Sequence, residues 1–64
     1  MKSLNIRREE DRLALVAKEF RWALIEPRGD RAGQIYSKHR TIEAADRAAR
    51  GYEVSIRSLD ERWI

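Results

Sequence analysis

The sequence contains no cysteine among its 64 residues, and it has one proline, three glycines and one histidine. The lack of cysteine excludes disulfides, zinc–thiolate sites and thiol catalysis, and it favours a reducing compartment. No apolar run approaches the ~20 residues that a membrane span needs, and the amino-terminal stretch lacks the hydrophobic segment of a secretory signal. We therefore expect a cytoplasmic protein with one small domain, residues 1–64, and with no cofactor, metal or membrane partner.

The segment PRGDRAG, residues 27–33, contains an Arg-Gly-Asp tripeptide and two glycines. The tripeptide acts as an adhesion ligand on secreted proteins, for which this sequence has no signal. A phosphate-binding P-loop needs lysine and a hydroxyl residue after its second glycine, whereas Gln34 and Ile35 follow Gly33. The flanking stretches FRWALIE and QIYSKHR alternate in polarity, so the segment is predicted to be the turn, about six residues long, of a β-hairpin.

The following stretch, TIEAADRAARG, predicts a helix. Thr41 is a suitable N-cap, Glu43 lies in the first turn, Arg47 and Arg50 lie in the last turn, and Gly51 ends the helix. The next segment, YEVSIRSL, alternates in polarity and predicts a third strand. The resulting order of elements in this part of the chain is strand, strand, helix, strand.

The first twenty residues allow two interpretations. In REEDRLALVAKEF the apolar residues Leu13, Val16, Ala17 and Phe20 have helical spacing, which predicts a helix over residues 7–18. The stretches SLNIR and RLALVA also alternate, so a second hairpin is the alternative. We favour the helix, and the predicted fold class is α+β: a three-stranded antiparallel sheet (β-β-α-β) packed on one helix, with an additional amino-terminal helix.

Strand alternation also predicts which side chains share a face of the sheet. The residues expected to face the alanine-rich helix are Trp22, Leu24, Ile35, Val54 and Ile56. The residues expected on the opposite face are Arg21, Tyr36, Lys38 and Arg57. A basic face with an aromatic side chain can meet phosphates and stack on bases.

The charge is concentrated in the predicted hairpin. Residues 21–40 contain five basic and two acidic side chains, whereas the whole chain carries a net charge of +3. Arginine outnumbers lysine 11 to 3, which suits protein interfaces as well as phosphate. The residues predicted to bind a partner are Arg21, Arg28, Arg31, Tyr36, Lys38, Arg40, Arg57 and Trp63.

Catalysis is not expected. His39 is the only histidine, and the sequence offers no cysteine and no serine triad around it. A metal site would have to combine His39 with Glu43 and Asp46, and the helix dipole already accounts for Glu43. We therefore predict no catalytic and no metal-binding residues.

Several of these segments together resemble the amino-terminal arm-binding domain of phage integrases. They are Trp22–Ile25, the turn at residues 29–33, the basic strand with Lys38 and Arg40, and the run that begins at Thr41. The resemblance implies a three-stranded sheet that inserts into DNA, although in that family the helix follows all three strands. In size, absence of cysteine and absence of a catalytic set, the chain also resembles small phage-encoded anti-CRISPR inhibitors, which occupy a surface of a larger effector.

The sequence therefore predicts a small non-enzymatic binding module. Its expected partner is an acidic or nucleic-acid-binding surface of a larger protein or nucleoprotein complex, as for an inhibitor from a mobile element. The alternative is direct DNA binding through the basic hairpin face. The protein is expected to be a monomer or a weak dimer that pairs through an exposed edge strand.

Overall fold

A computed structural model describes residues 3–61 of the chain. Its elements, in chain order, are α1 (Glu9–Ala17), β1 (Trp22–Ile25), β2 (Ile35–His39), α2 (Ile42–Ala49) and β3 (Ser55–Ser58). The strands form one antiparallel sheet in the order β2-β1-β3. The predicted α+β class, the order of the elements and the amino-terminal helix are confirmed. Strand β3 is shorter than its sequence pattern indicates, since it begins at Ser55 and not at Tyr52.

The hairpin between β1 and β2 closes on a loop of six residues, 27–32. The backbone N–H of Glu26 donates to the Gln34 carbonyl at 3.0 Å, and the N–H of Gly33 donates to the Glu26 carbonyl at 2.9 Å. Gly33 has a φ of 88°, and a Cβ there would lie 2.6 Å from Asn5 Oδ1. Both the backbone angle and the close approach of the amino-terminal segment therefore require glycine at this position.

The amino-terminal segment pairs with the start of β2. Asn5 forms an isolated antiparallel bridge with Gln34. The N–H of Ile6 donates to the Gly33 carbonyl at 2.9 Å, and the N–H of Ile35 donates to the Leu4 carbonyl at 3.0 Å. The extended part of SLNIR thus ends at Asn5, because Ile6 and Arg7 form a turn that leads into the helix α1.

The main hydrophobic core lies on the face of the sheet that carries Ala23 and Ile25. Its buried members are Ile6, Leu15, Ala23, Ile25 and Leu59. Half-buried side chains packed against them are Leu4, Val16, Phe20 and Ile35. The amino-terminal segment and α1 therefore cover the sheet face that was predicted to be open and basic.

Helix α1 turns a partly polar side inward. Its buried residue is Leu15, whereas Leu13 is half exposed. Arg12 lies one turn before Leu15 and donates from Nη1 to the Leu59 carbonyl at 2.8 Å. Asp11 accepts from the backbone N–H of Asn5 at 3.0 Å. Two of the side chains that α1 turns inward are therefore charged, and hydrogen bonds satisfy their partly buried polar groups.

A β-bulge at Tyr36 changes the face of Ile35. Leu24 pairs with Ser37, whereas its neighbour Ile25 pairs with Ile35, so Tyr36 is the extra residue. Ile35 consequently packs with the core that contains Ile25, and its prediction on the α2 side was wrong. Tyr36 is displaced from the predicted basic face for the same reason, because one extra residue reverses the alternation on either side of it.

Helix α2 covers the other face of the sheet, opposite Leu24 and Ile56. Thr41 caps it, since its Oγ1 accepts from the N–H of Ala44 at 3.1 Å, and Gly51 follows its end with a φ of 83°. Ala45 is its buried residue, as the small-residue pattern predicts, but Ile42 is almost half exposed. This second interface is therefore narrow and leaves open space at both ends of the helix.

Candidate binding surface

The residues predicted to bind a partner do not form a single surface. Arg28 and Arg31 lie in the hairpin loop, whereas Lys38 and Arg40 lie at the far end of β2. A strand rises ~3.3 Å per residue, so the three steps from Ile35 to Lys38 alone separate the two groups by about 10 Å. The arginines of the loop and the cations at the strand end must therefore be considered separately.

The cations at the strand end lie on an aromatic ring. Lys38 Nζ is 5.5 Å and Arg40 Cζ is 4.4 Å from the centroid of the Phe20 ring. Arg40 Nη2 also donates to the Lys18 carbonyl at 3.3 Å. Within residues 3–61, no carboxylate oxygen lies within 4.0 Å of the side-chain nitrogens of Lys38 or Arg40. We call Phe20, Lys38 and Arg40 the Phe20 surface.

Phe20 is a candidate site residue that was not predicted from the sequence. The sequence places Phe20 both in helical spacing with Leu13 and Val16 and in the alternating stretch FRWALIE, and its ring is half-buried against the main core. The helix ends earlier, at Ala17, and Glu19 adopts a φ of 70°. This turn brings the ring beside the end of β2. Only the cation–aromatic spacing in three dimensions identifies it, because Phe20 and Arg40 are far apart in sequence.

Two further predicted arginines border this region. Arg21 Nη1 lies 2.9 Å from Asp60 Oδ1, and both side chains are about half exposed. Arg57 stands across the sheet from Lys38, since both pair with Ala23, and it has an intramolecular interaction of its own. An exposed pair such as that of Arg21 is worth ~0–1 kcal/mol, so a partner can compete for the guanidinium. Trp63 lies outside the described residues.

Tyr36 belongs to a different site. Its O–H donates to the Glu26 carboxylate, and this hydrogen bond raises the pKa of Tyr36 above its usual value. The ring borders a groove of about 510 Å³ beside the carboxyl-terminal end of α2. The apolar side chains that line this groove with Tyr36 are those of Leu24, Ala48, Tyr52 and Val54. We call it the tyrosine groove.

A second, shallower groove lies at the other end of α2. It has a volume of about 370 Å³ and is lined by Trp22, Ile42, Glu43, Asp46 and Ile56. Trp22 is thus half-buried at the margin of α2 and does not fill a core. The two grooves are the spaces that the narrow contact of α2 with the sheet leaves unfilled.

The ring of His39 lies beside the hydroxyl of a serine. Its Nε2 lies 2.9 Å from Ser37 Oγ, because residues two apart on a strand share a face. This pair was not predicted from the sequence. A serine nucleophile needs a histidine oriented by a third group and donors for an oxyanion, and within residues 3–61 no carboxylate bonds to His39. No group of three potential metal ligands occurs in the same part of the chain.

The described residues form a small α+β protein that carries the basic Phe20 surface, a hairpin loop with two exposed arginines, and two grooves lined in part by carboxylates. Neither helix within residues 3–61 has the length and apolar character to cross a membrane. No protein-family model, curated protein or solved structure matches the chain. The surfaces themselves are therefore the basis on which a function is proposed.

Proposed function

We propose that this protein is a small non-enzymatic binding module that docks through the Phe20 surface onto an acidic surface of a larger protein or nucleoprotein. The observation that supports this proposal is the pair of cations on the Phe20 ring, at 5.5 and 4.4 Å, without a carboxylate partner in residues 3–61. An inhibitor of the anti-CRISPR type would act in this way, by occupying a surface that ordinarily holds nucleic acid.

The ring fixes the cations before a partner arrives. A cation–aromatic contact at an exposed site contributes ~0.5–1 kcal/mol, and the bond from Arg40 to the Lys18 carbonyl adds a second restraint. Binding a rotamer-rich side chain normally costs ~0.5–1.5 kcal/mol in lost freedom. Because part of this cost has already been met in the free protein, Arg40 is suited to a specific contact with a carboxylate.

Because both faces of the sheet are covered, a protein partner is favoured over DNA. A sheet that inserts into a DNA groove needs one open face, whereas here α1 and the amino-terminal segment lie on one face and α2 on the other. The cations are also divided between the two ends of the hairpin. The Phe20 surface alone would neutralise about two phosphates, which corresponds to a log–log salt slope of about −1.8 and to weak binding.

The test compares three forms of the full-length protein: wild type, the charge reversal Lys38→Glu/Arg40→Glu, and a control, Arg47→Glu/Arg50→Glu, on the exposed side of α2. Each is used to capture and cross-link partners from cells of the natural host, and each is titrated with a labelled duplex of about 20 base pairs at two salt concentrations. We expect one captured protein that is lost with the Phe20 reversal and retained with the control, and little binding to the duplex.

Two results would overturn the proposal. Capture that is equal for all three forms would mean that the Phe20 surface is not the interface. Duplex binding that falls steeply with salt and is lost in the Lys38/Arg40 reversal would instead support direct DNA binding, the alternative function. The non-enzymatic part has its own test, because wild type and Ser37→Ala should hydrolyse an activated ester such as p-nitrophenyl acetate equally slowly.

A further inference from the structure

The tyrosine groove combines an apolar floor with two aromatic side chains. Leu24 is nearly fully buried and Val54 is half-buried, so these residues form the floor. Tyr36 and Tyr52 are much more exposed, at 48% and 73%, and form the sides. An exposed aromatic residue such as Tyr52 leaves apolar surface in water, which is unfavourable unless another molecule covers it.

The charged residues that line this groove are acidic. Glu26 and Glu53 are both part of the lining, and within residues 3–61 no lysine or arginine is. The charge of Arg31 acts on Tyr36, but it lowers the pKa of Tyr36 less than the hydrogen bond to Glu26 raises it. A groove with two carboxylates is unexpected in a chain with a net charge of +3. Its chemistry is therefore opposite to that of the Phe20 surface.

We propose that the tyrosine groove binds an arginine side chain presented by a peptide segment of a partner protein. The apolar stem of arginine would lie along Leu24 and Val54, as long basic side chains do on apolar surfaces. Its planar guanidinium would stack on a tyrosine ring and donate to the carboxylates of Glu26 and Glu53. The ligand thus matches the floor, the sides and the charge of the groove together.

Other ligands fit this groove less well. An apolar side chain would displace water from Glu26 and Glu53 without replacing their hydrogen bonds, which is unfavourable. An acidic side chain would be repelled by both carboxylates. Lysine has the correct charge, but its ammonium group is strongly hydrated and lacks the planar donor pattern that stacks on an aromatic ring. The expected order of affinity is therefore arginine, then lysine, then a neutral analogue.

The test is a titration of the isotopically labelled full-length protein, followed by amide NMR, with the peptide acetyl-Gly-Ser-Arg-Ser-Gly-amide. Matched peptides carry lysine or the neutral isostere citrulline in place of arginine. We expect the arginine peptide to shift the amides of Tyr36, Tyr52, Glu53 and Val54 with a dissociation constant on the order of 1 mM. The lysine peptide should bind more weakly, and the citrulline peptide should not bind measurably.

The variants locate the site. Glu26→Gln/Glu53→Gln retains the shape of both side chains and should weaken binding of the arginine peptide about tenfold. Tyr52→Phe retains the ring and should bind normally, whereas Tyr52→Ala should not. The control, Glu43→Gln/Asp46→Asn, removes the same amount of charge from the groove beside Trp22 and should have no effect.

Three outcomes would overturn the proposal. The first is equal binding of the arginine and citrulline peptides. The second is that the control variant loses binding of the arginine peptide while the Glu26/Glu53 variant retains it. The third is a shift of the groove amides with protein concentration alone, because a second copy of the chain would then be the ligand. The reversal of Lys38 and Arg40 should not affect this titration, so the groove and the Phe20 surface can fail independently.

Discussion

The two faces of the sheet are packed to very different degrees. The face of Ala23 and Ile25 carries a continuous core, closed by Ile6, Leu15 and Leu59. On the other face, the buried apolar side chains of the described residues are those of Leu24 and Ala45. Open grooves lie at both ends of α2 on this second face. Stability is therefore concentrated on one face, and space for ligands is concentrated on the other.

The amphipathic patterns of the two helices do not follow how well each face of the sheet is packed. Helix α2 has the clearer amphipathic pattern, whereas α1 turns Arg12 and Asp11 inward beside Leu15. The α1 face is nevertheless the better filled, because the amino-terminal segment adds Ile6 to it and the turn after β3 adds Leu59. In a domain this small, segments outside the helices and strands can decide which face becomes the main core.

The largest expected effect comes from truncating the main core. Ile25→Ala removes a fully buried side chain and should destabilise the protein by ~4 kcal/mol, whereas Leu24→Ala should cost about half as much because its cavity opens into the tyrosine groove. Urea unfolding followed by circular dichroism measures both. If Ile25→Ala does not fold, Ile25→Val should still cost ~1 kcal/mol. Equal costs for the two alanine variants would mean that both faces are equally well packed.

The next largest loss of stability is expected where the amino-terminal segment contacts the hairpin at Gly33. Gly33→Ala places a methyl group 2.6 Å from Asn5 Oδ1 at a positive φ, so we expect a loss of about 2–3 kcal/mol. Gly29→Ala is the matched control, since Gly29 has a similar φ of 86° in open space and should lose about 1 kcal/mol. If both variants lose the same stability, the contact with Asn5 does not hold the segment on the main core.

Removing the cap of α2 should lower the stability of the protein by a smaller amount, because α2 covers the less tightly packed face of the sheet. Thr41→Ala removes the oxygen that accepts from Ala44 N–H and should cost ~1 kcal/mol. Thr41→Ser retains that acceptor and should cost much less. A thermal unfolding midpoint that does not change in Thr41→Ala would show that the cap does not stabilise α2.

Much of this architecture could be predicted from local signals. Alternation located β1 and β2, and Thr41 and Gly51 marked the ends of α2, because caps and turns depend on residues close in sequence. The face of the sheet on which Ile35 lies could not be predicted from such local signals. A bulge adds one residue to a ladder without a distinct sequence signal, and it turned Ile35 into the main core and Tyr36 toward the tyrosine groove.

The candidate surfaces were predictable only in part. The charge excess of residues 21–40 indicated that the hairpin is basic. It could not indicate that the cations divide between the two ends of the hairpin, or that Lys38 and Arg40 lie over the ring of Phe20, because both depend on tertiary packing. The tyrosine groove combines β1, β2 and the segment after α2. A site built from distant segments leaves no spacing that a single sequence reveals.

The smallest expected effect is a shift in the titration of Tyr36, on the loosely packed face. In a Tyr52→Phe background Tyr36 is the single tyrosine, so its ionisation can be followed by ultraviolet absorbance. Its pKa should lie above the usual value of about 10, because its O–H donates to the Glu26 carboxylate and ionisation would break that bond. Glu26→Gln should lower the pKa toward about 10.

The raised pKa of Tyr36 also predicts how the stability of the protein changes with pH. Since the pKa of Tyr36 is raised in the folded state, the bond to Glu26 contributes fully to stability below about pH 10, the pKa of the unfolded chain. The contribution is lost as the pH rises through the folded-state pKa. Stability of the Tyr52→Phe protein should therefore fall more steeply at alkaline pH than that of its Glu26→Gln derivative. Equal slopes would mean that Tyr36 and Glu26 are not bonded in solution, and the acidic side of the tyrosine groove would then lack its fixed carboxylate.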